Sequence, residues 1–227
     1  MAFSQPQIIE PTNGQPADAA IIVLHGICAR AQDFEPLIHA LRLPRNLAAR
    51  FVLPQASTLP ITMHDGREMA AWYDVFDTTP KPWVDKIQLN ASAAYIQALI
   101  EAEVAKGIDS KRIVVVGFDQ GGVVAYNAAL SCPQPLGGLM VLSGYFANDH
   151  GLEAHTANRE LPIEVHHGLD DPAIPEALGR EGANAVKALG YDVTYRSYVM
   201  GHGFCAEQLI QARHWMIQRL GAPTLVA

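Results

Sequence analysis

The sequence predicts an α/β fold, with a mostly parallel central sheet and helices on both faces. Three observations predict it. Short, continuously apolar runs recur without polar alternation, as in A-A-I-I-V-L from Ala19 to Leu24, the pattern of strands buried on both faces. Segments of helical spacing separate these runs, and strands alternating with helices build a parallel sheet. With 227 residues and 49% hydrophobic content, the chain can bury one sizeable core, so a single domain over 1–227 is expected.

A polar opening with turn residues Asn13-Gly14 precedes the first buried strand, 19–24, which ends at His25-Gly26. Residues 32–43 show helical spacing through Phe34, Leu37, Ile38 and Leu41. A second short strand, 51–53, is stopped by Pro54, and 55–82 reads as irregular, with Trp72-Tyr73-Asp74 inside it. Residues 88–106 form a long amphipathic helix ending at Gly107, a good residue just past a helix end. A strand over 112–116 leads through a sharp turn into a helix that runs to about Ser131 and is closed by Pro133. Further strands are expected at 138–142, 163–166 and 193–198, a loop at 144–160, and helices at 175–189 and 204–220. In such sheets the reactive site lies at the carboxyl ends of the strands.

Composition narrows the classes of function. A net charge of −7 and a pI near 5.7 argue against nucleic acid or an anionic membrane surface as the main partner. Cys28, Cys132 and Cys205 are an odd, widely spaced set with no C-x-x-C, which suggests neither a disulfide framework nor a zinc site. No metal and no cofactor is expected. The first residues lack a basic region followed by an apolar run, and no apolar run is long enough to span a bilayer, so a cytoplasmic location is expected.

The chemistry centres on 113–126, which reads I-V-V-V-G-F-D-Q-G-G-V-V-A-Y. A strand that delivers one side chain to the tip of a turn, with glycines two places either side, has the form of a nucleophile elbow. Asp119 is at the apex. A nucleophile of this kind needs a histidine to move protons and a carboxylate to orient that histidine, in chain order nucleophile, acid, base. Downstream, H-H-G-L-D-D-P-A-I-P follows a strand and offers Asp171 or its neighbour Asp170 as the acid. M-G-H-G-F follows the last strand and offers His202 as the base. His166 and His167 are expected to pack at a strand end, and His25 to fix its loop through backbone hydrogen bonds. Oxyanion stabilisation needs two backbone N–H donors. Gln120, at a helix N-terminus, and Ile27, in the loop L-H-G-I-C, are the candidates.

These segments resemble the carboxylesterase/phospholipase family of small α/β-hydrolases, which includes bacterial carboxylesterases and acyl-protein thioesterases. The matching stretches are LHGICARAQDF, FVLPQA, the M-x-x-WYD segment, GFDQGG, LSGYF, HGLDDPAIP and Gly201-His202, in order across nearly the whole chain. The resemblance implies an α/β-hydrolase fold without a cap domain and hydrolysis of short acyl esters or thioesters. It selects Asp171 rather than Asp170 as the acid, suggests Trp72 near the substrate groove, and implies an acyl ester as ligand with a homodimer as the assembly. Trp72 taken alone reads as core. Two positions depart from the family pattern: Cys28 stands where a glycine is usual, and Asp119 stands where serine is usual.

Aspartate caps helices well and tolerates positive φ, so Asp119 suits the turn structurally. For acyl transfer it is a poor nucleophile. Its attack on an ester gives a tetrahedral adduct from which the carboxylate leaves more readily than an alkoxide. His202 is expected between the two carboxylates of Asp119 and Asp171. The expected function is therefore a carboxylic-ester or thioester hydrolase scaffold impaired by Asp119. Two alternatives stand beside it: an aspartate-nucleophile hydrolase of the epoxide or haloalkane type, and a non-catalytic protein that binds acyl ligands. The first of these typically carries D-W at the elbow and a helical cap, whereas this chain has D-Q and only 144–160 in that place.

Overall fold

The computed structural model describes residues 3–79, 81–147 and 152–221. β1 (Gln7–Ile9) is a short strand within the stretch expected to be a polar opening. β2 (Ala19–Leu24) is buried at every position. The helix expected over 32–43 begins as a 3-10 turn at Ala31–Phe34 and becomes α1 (Glu35–Leu41), ended by Arg42 in the left-handed region at φ 45°. β3 (Ala49–Leu53) starts two residues before its expected position.

The stretch expected to be irregular, 55–82, holds strands instead. β4 (Thr58–Ile61) pairs antiparallel with β5 (Arg67–Ala70), and β6 (Val75–Asp77) with β7 (Trp83–Val84). The first hairpin turns through Asp65 and Gly66, both at positive φ, so the dipeptide was a legible hairpin signal. Pro60 masks it, because a proline inside a run argues against a central strand while an edge strand tolerates it.

α2 (Lys86–Ala105) starts at Asp85, whose side chain accepts a hydrogen bond from the Gln88 N–H, and Gly107 follows its end at φ 98°. Then come β8 (Ile113–Phe118), α3 (Gln120–Leu130), β9 (Gly138–Leu142), β10 (Ile163–Gly168), α4 (Glu176–Ala188), β11 (Val193–Tyr198) and α5 (Ala206–Leu220). The loop expected at 144–160 includes residues 148–151, which lie outside the described residues. The main sheet has the order β1-β3-β2-β8-β9-β10-β11, with β1 antiparallel to β3 and the other pairs parallel. This is the mostly parallel sheet of an α/β-hydrolase.

Because side chains alternate across a strand, the buried runs feed two cores. Ile22, Val115, Val141 and Val165 pack with Ile96 of α2, Val124 of α3 and Val186 of α4. Ile21, Val116 and Met140 pack with Ile38 of α1 and Met216 of α5. The chain therefore leaves β2 for one face of the sheet and neighbouring β8 for the other. That divergence opens a crevice at the carboxyl ends of β2 and β8, the kind of switch point where open α/β sheets bind ligands.

Candidate active site

At the end of β8 the backbone turns through Asp119, at φ 55° and ψ −124°. The turn is held by the Asp119 N–H donating to the Leu142 carbonyl and the Gly122 N–H donating to the Asp119 carbonyl, both at 2.9 Å. Two of the flanking glycines are required by close approach. A Cβ on Gly117 would collide with the Gly121 carbonyl, and one on Gly121 would lie 2.5 Å from the His25 carbonyl oxygen. The Asp119 side chain does not cap α3, contrary to the capping expected of it. It reaches instead across the crevice to the loop after β2.

That loop receives it closely. The Ile27 N–H donates to Asp119 Oδ2 at 2.8 Å. A Cβ on Gly26 would lie 2.6 Å from the same Oδ2, so only glycine allows this approach. Cys28 holds φ 63°, the left-handed region a glycine would adopt freely, at a cost of about 1–2 kcal/mol. Its N–H donates to the Ala70 carbonyl at 2.8 Å, and its exposed thiol lies 3.0 Å from Met69 Sδ.

Buried side chains fix this loop from behind. His25 Nε2 accepts from the Ala56 N–H at 3.0 Å, so its proton lies on Nδ1, which donates to the Gly26 carbonyl at 2.7 Å. Burial holds the His25 pKa below its ordinary value, consistent with a neutral ring. The Trp72 indole N–H donates to the His25 carbonyl at 2.8 Å. Gln120 Oε1 accepts from the Trp72 N–H and Gln120 Nε2 donates to the Tyr73 carbonyl, both at 2.7 Å. Trp72 is 0% exposed, so it braces the loop from within the core and offers no face to a groove.

Asp171 and His202 meet at the other side of the crevice. Asp171 Oδ1 accepts from the Ala173 and Ile174 N–H groups, both at 2.9 Å, and Oδ2 accepts from His202 Nδ1 at 2.8 Å. With Nδ1 donating to a carboxylate, His202 Nε2 is left as the lone-pair side of the ring. The His202 ring lies 4.8 Å from Phe118, which packs in turn on Phe204 and Phe34. Asp170 is exposed, with its N–H donating to the Met200 carbonyl, so Asp171 alone of the two reaches the histidine. His166 and His167 are buried in β10, His167 Nε2 donating to the Ile174 carbonyl at 2.9 Å.

Four of the expected residues therefore converge at one crevice with the Asp171–His202 pair: Asp119, Ile27, Gln120 and, behind them, Trp72. One expectation is not met. Among the described residues no hydrogen bond or ion pair joins Asp119 to His202, because the Asp119 carboxylate is turned toward the Ile27 N–H. Burial pushes the Asp119 pKa above its ordinary value. The Gln120 and Ile27 N–H groups and the His202 ring oppose that shift, and the Asp171 charge adds to it. Sequence reasoning gave no role to the Tyr73 and Tyr145 side chains, whose hydroxyls hydrogen-bond at 3.1 Å and feel the Asp119 charge. Tyr73 lies in the WYD stretch and Tyr145 in LSGYF, but no periodicity announces their pairing. Among the described residues, no group of three or more His, Cys, Asp or Glu side chains could hold a metal ion.

Comparison with known proteins gives a consistent result. A family model described as Phospholipase/Carboxylesterase matches residues 4–218. Acyl-protein thioesterase 1 of Gibberella zeae is 31% identical over 217 residues, covering 89% of this chain and 91% of the relative. Acyl-protein thioesterase 1 of Neurospora crassa is 30% identical over 213 residues, covering 89% and 87%. The crystal structure of Zea mays acyl-protein thioesterase 2 superposes with a TM-score of 0.84 at 25% identity, covering 96% of this chain and 99% of that one.

Proposed function

The chain belongs to the phospholipase/carboxylesterase family of ester and thioester hydrolases, and on that premise we propose that it is a short-acyl ester or thioester hydrolase scaffold whose turnover Asp119 suppresses. The observation that carries the reading is the 2.8 Å hydrogen bond from the Ile27 N–H to Asp119 Oδ2. Oxyanion-hole donors hold a developing oxyanion at roughly 2.7–3.1 Å, so a side-chain oxygen already occupies the place meant for the substrate's.

The surrounding groups suit acyl transfer with a serine at position 119. His202 Nε2 would take the serine proton as the hydroxyl attacks the acyl carbon, then return it to the leaving alkoxide or thiolate. Asp171 orients the ring through Nδ1, and the Ile27 and Gln120 N–H groups receive the oxyanion. Aspartate defeats this twice: its tetrahedral adduct expels the carboxylate again, and its own oxygen fills the hole. The proposal takes residues 1–227 as one cytoplasmic domain that assembles as a homodimer, the last checked by light scattering.

The reversion Asp119→Ser tests the reading on short p-nitrophenyl esters and thioesters. The expected gain is about 1,000-fold or more in kcat/KM. A folded Asp119→Ser protein that still binds acyl esters but hydrolyses none would replace the hydrolase reading with that of an acyl-binding protein.

A further inference from the structure

We propose that Asp119 is an acceptor for alkyl groups: it takes an sp3 carbon that bears a leaving group, forming an ester that His202 and a water molecule then cleave. The inference rests on the roles given above to His202, Asp171 and the two backbone donors, and it adds a substrate class.

The argument starts from the filled hole. An acyl substrate brings its own carbonyl oxygen and finds the seat taken by Asp119 Oδ2. An alkyl electrophile brings no such oxygen. When Asp119 itself carries the ester, Oδ2 is the ester's carbonyl oxygen and Cγ is the carbon that water attacks. The Ile27 N–H then already faces the atom on which negative charge develops, with no movement of that donor required, and the Gln120 N–H at the start of α3 is the second donor assigned above. With Oδ2 held by the Ile27 N–H, beside a Gly26 that has no Cβ to displace it, Oδ1 is the atom left to attack. Asp119 is only 8% exposed, and a carboxylate stripped of most of its water is a stronger nucleophile toward saturated carbon. The Phe118 ring, 4.8 Å from the His202 ring, sets an apolar surface beside the base.

The steps balance. Oδ1 forms a bond to the alkyl carbon as the carbon–halogen bond breaks and halide leaves with its electron pair; an epoxide opens instead, and its ring oxygen takes a proton from solvent. His202 Nε2 then removes a proton from water, and the hydroxide adds to Cγ. The tetrahedral oxyanion at Oδ2 collapses, the bond from Cγ to the alkoxide breaks, and the alkoxide takes the proton from His202. The Asp119 carboxylic acid so formed returns its proton to solvent, and the net reaction is R–X plus water to R–OH plus HX, or epoxide plus water to the diol.

The experiment incubates the full chain, and separately His202→Ala, with 1-bromobutane or 1,2-epoxybutane, followed by mass spectrometry and peptide mapping. In His202→Ala one butyl or hydroxybutyl group per chain is expected to accumulate on Asp119, and to be lost entirely in His202→Ala carrying Asp119→Asn. The arm that reacts identifies the leaving group. The unsubstituted chain, turning over in water labelled with heavy oxygen, is expected to incorporate the label into the Asp119 carboxylate, a readout that holds even if His202→Ala does not fold. Adducts confined to other side chains such as Cys28, or label only in the alcohol product, overturn the inference. Esterase gain in Asp119→Ser without an Asp119 adduct sinks this inference alone. Absent esterase gain together with an ester that forms and never clears points to failure of the shared His202–Asp171 machinery.

Discussion

Replacing Asp119 with asparagine isolates the electrostatic cost of the carboxylate while keeping its shape and an oxygen for the Ile27 N–H. Burial raises the folded-state pKa of Asp119 above its ordinary 3.8, against the pull of the Gln120 and Ile27 N–H groups and the His202 ring. A carboxyl with a raised pKa binds its proton more tightly in the folded state than in the unfolded chain. Its contribution to stability is therefore fully present below 3.8 and is lost as pH rises through the raised value. Within that window one linked proton changes stability by up to about 1.4 kcal/mol per pH unit. For a domain of this size that corresponds to roughly 3–6 °C in Tm per pH unit. Thermal melts of the two proteins, followed by circular dichroism from pH about 4 to about 8, are expected to show Asp119→Asn gaining on the unsubstituted chain as pH rises, then holding a constant lead. A flat difference, or one in which the unsubstituted chain gains with rising pH, would mean that the backbone donors and His202 outweigh burial, and the reasoning would be wrong.

Four further substitutions probe the frame around the site. In the Asp119→Ser background, Asp171→Asn should reduce kcat/KM by about 100- to 10,000-fold, because the amide cannot hold the His202 Nδ1 proton and both backbone N–H groups as the carboxylate does, whereas Asp170→Asn should leave it nearly unchanged. Trp72→Phe removes the donor to the buried His25 carbonyl and should cost about 1–3 kcal/mol in urea unfolding, with a lower kcat in the same serine background. Gly179→Ala should destabilise by about 1–3 kcal/mol although alanine favours helix, since its Cβ would strike the buried His167 ring; a gain in Tm would show that α4 shifts freely.

The sheet was legible because buried parallel strands are written as unbroken apolar runs, and 19–24, 138–142 and 193–198 were located at their observed ends. β1 was not legible: a three-residue edge strand, Q-I-I, carries too little pattern and forms by pairing with β3. The hairpins in 55–82 escaped because their strands are short and one contains Pro60, while the turn residues Asp65-Gly66 were the readable clue. The residues that meet at the crevice, 27, 119–120, 171 and 202, lie in local motifs that mark them in the sequence. The direction of the Asp119 side chain was not, since it depends on how closely the β2 and β8 loops approach across the sheet. Trp72 shows the same limit. Its place in the WYD stretch pointed to the groove, and only packing reveals that its polar edge serves the His25 carbonyl.

The brace formed by His25, Trp72 and Gln120 separates the architecture of the hole from the identity of residue 119. Besides its bond to Asp119, the Ile27 loop is held by buried groups other than residue 119, and the Gln120 side chain ties the start of α3 to the Trp72 and Tyr73 backbone. The two donors thus behave as a fixed socket, and whatever side chain position 119 supplies meets the same pair of N–H groups. A substitution at 119 is then expected to change what meets this socket without rebuilding the fold, which makes the position a starting point for directed evolution.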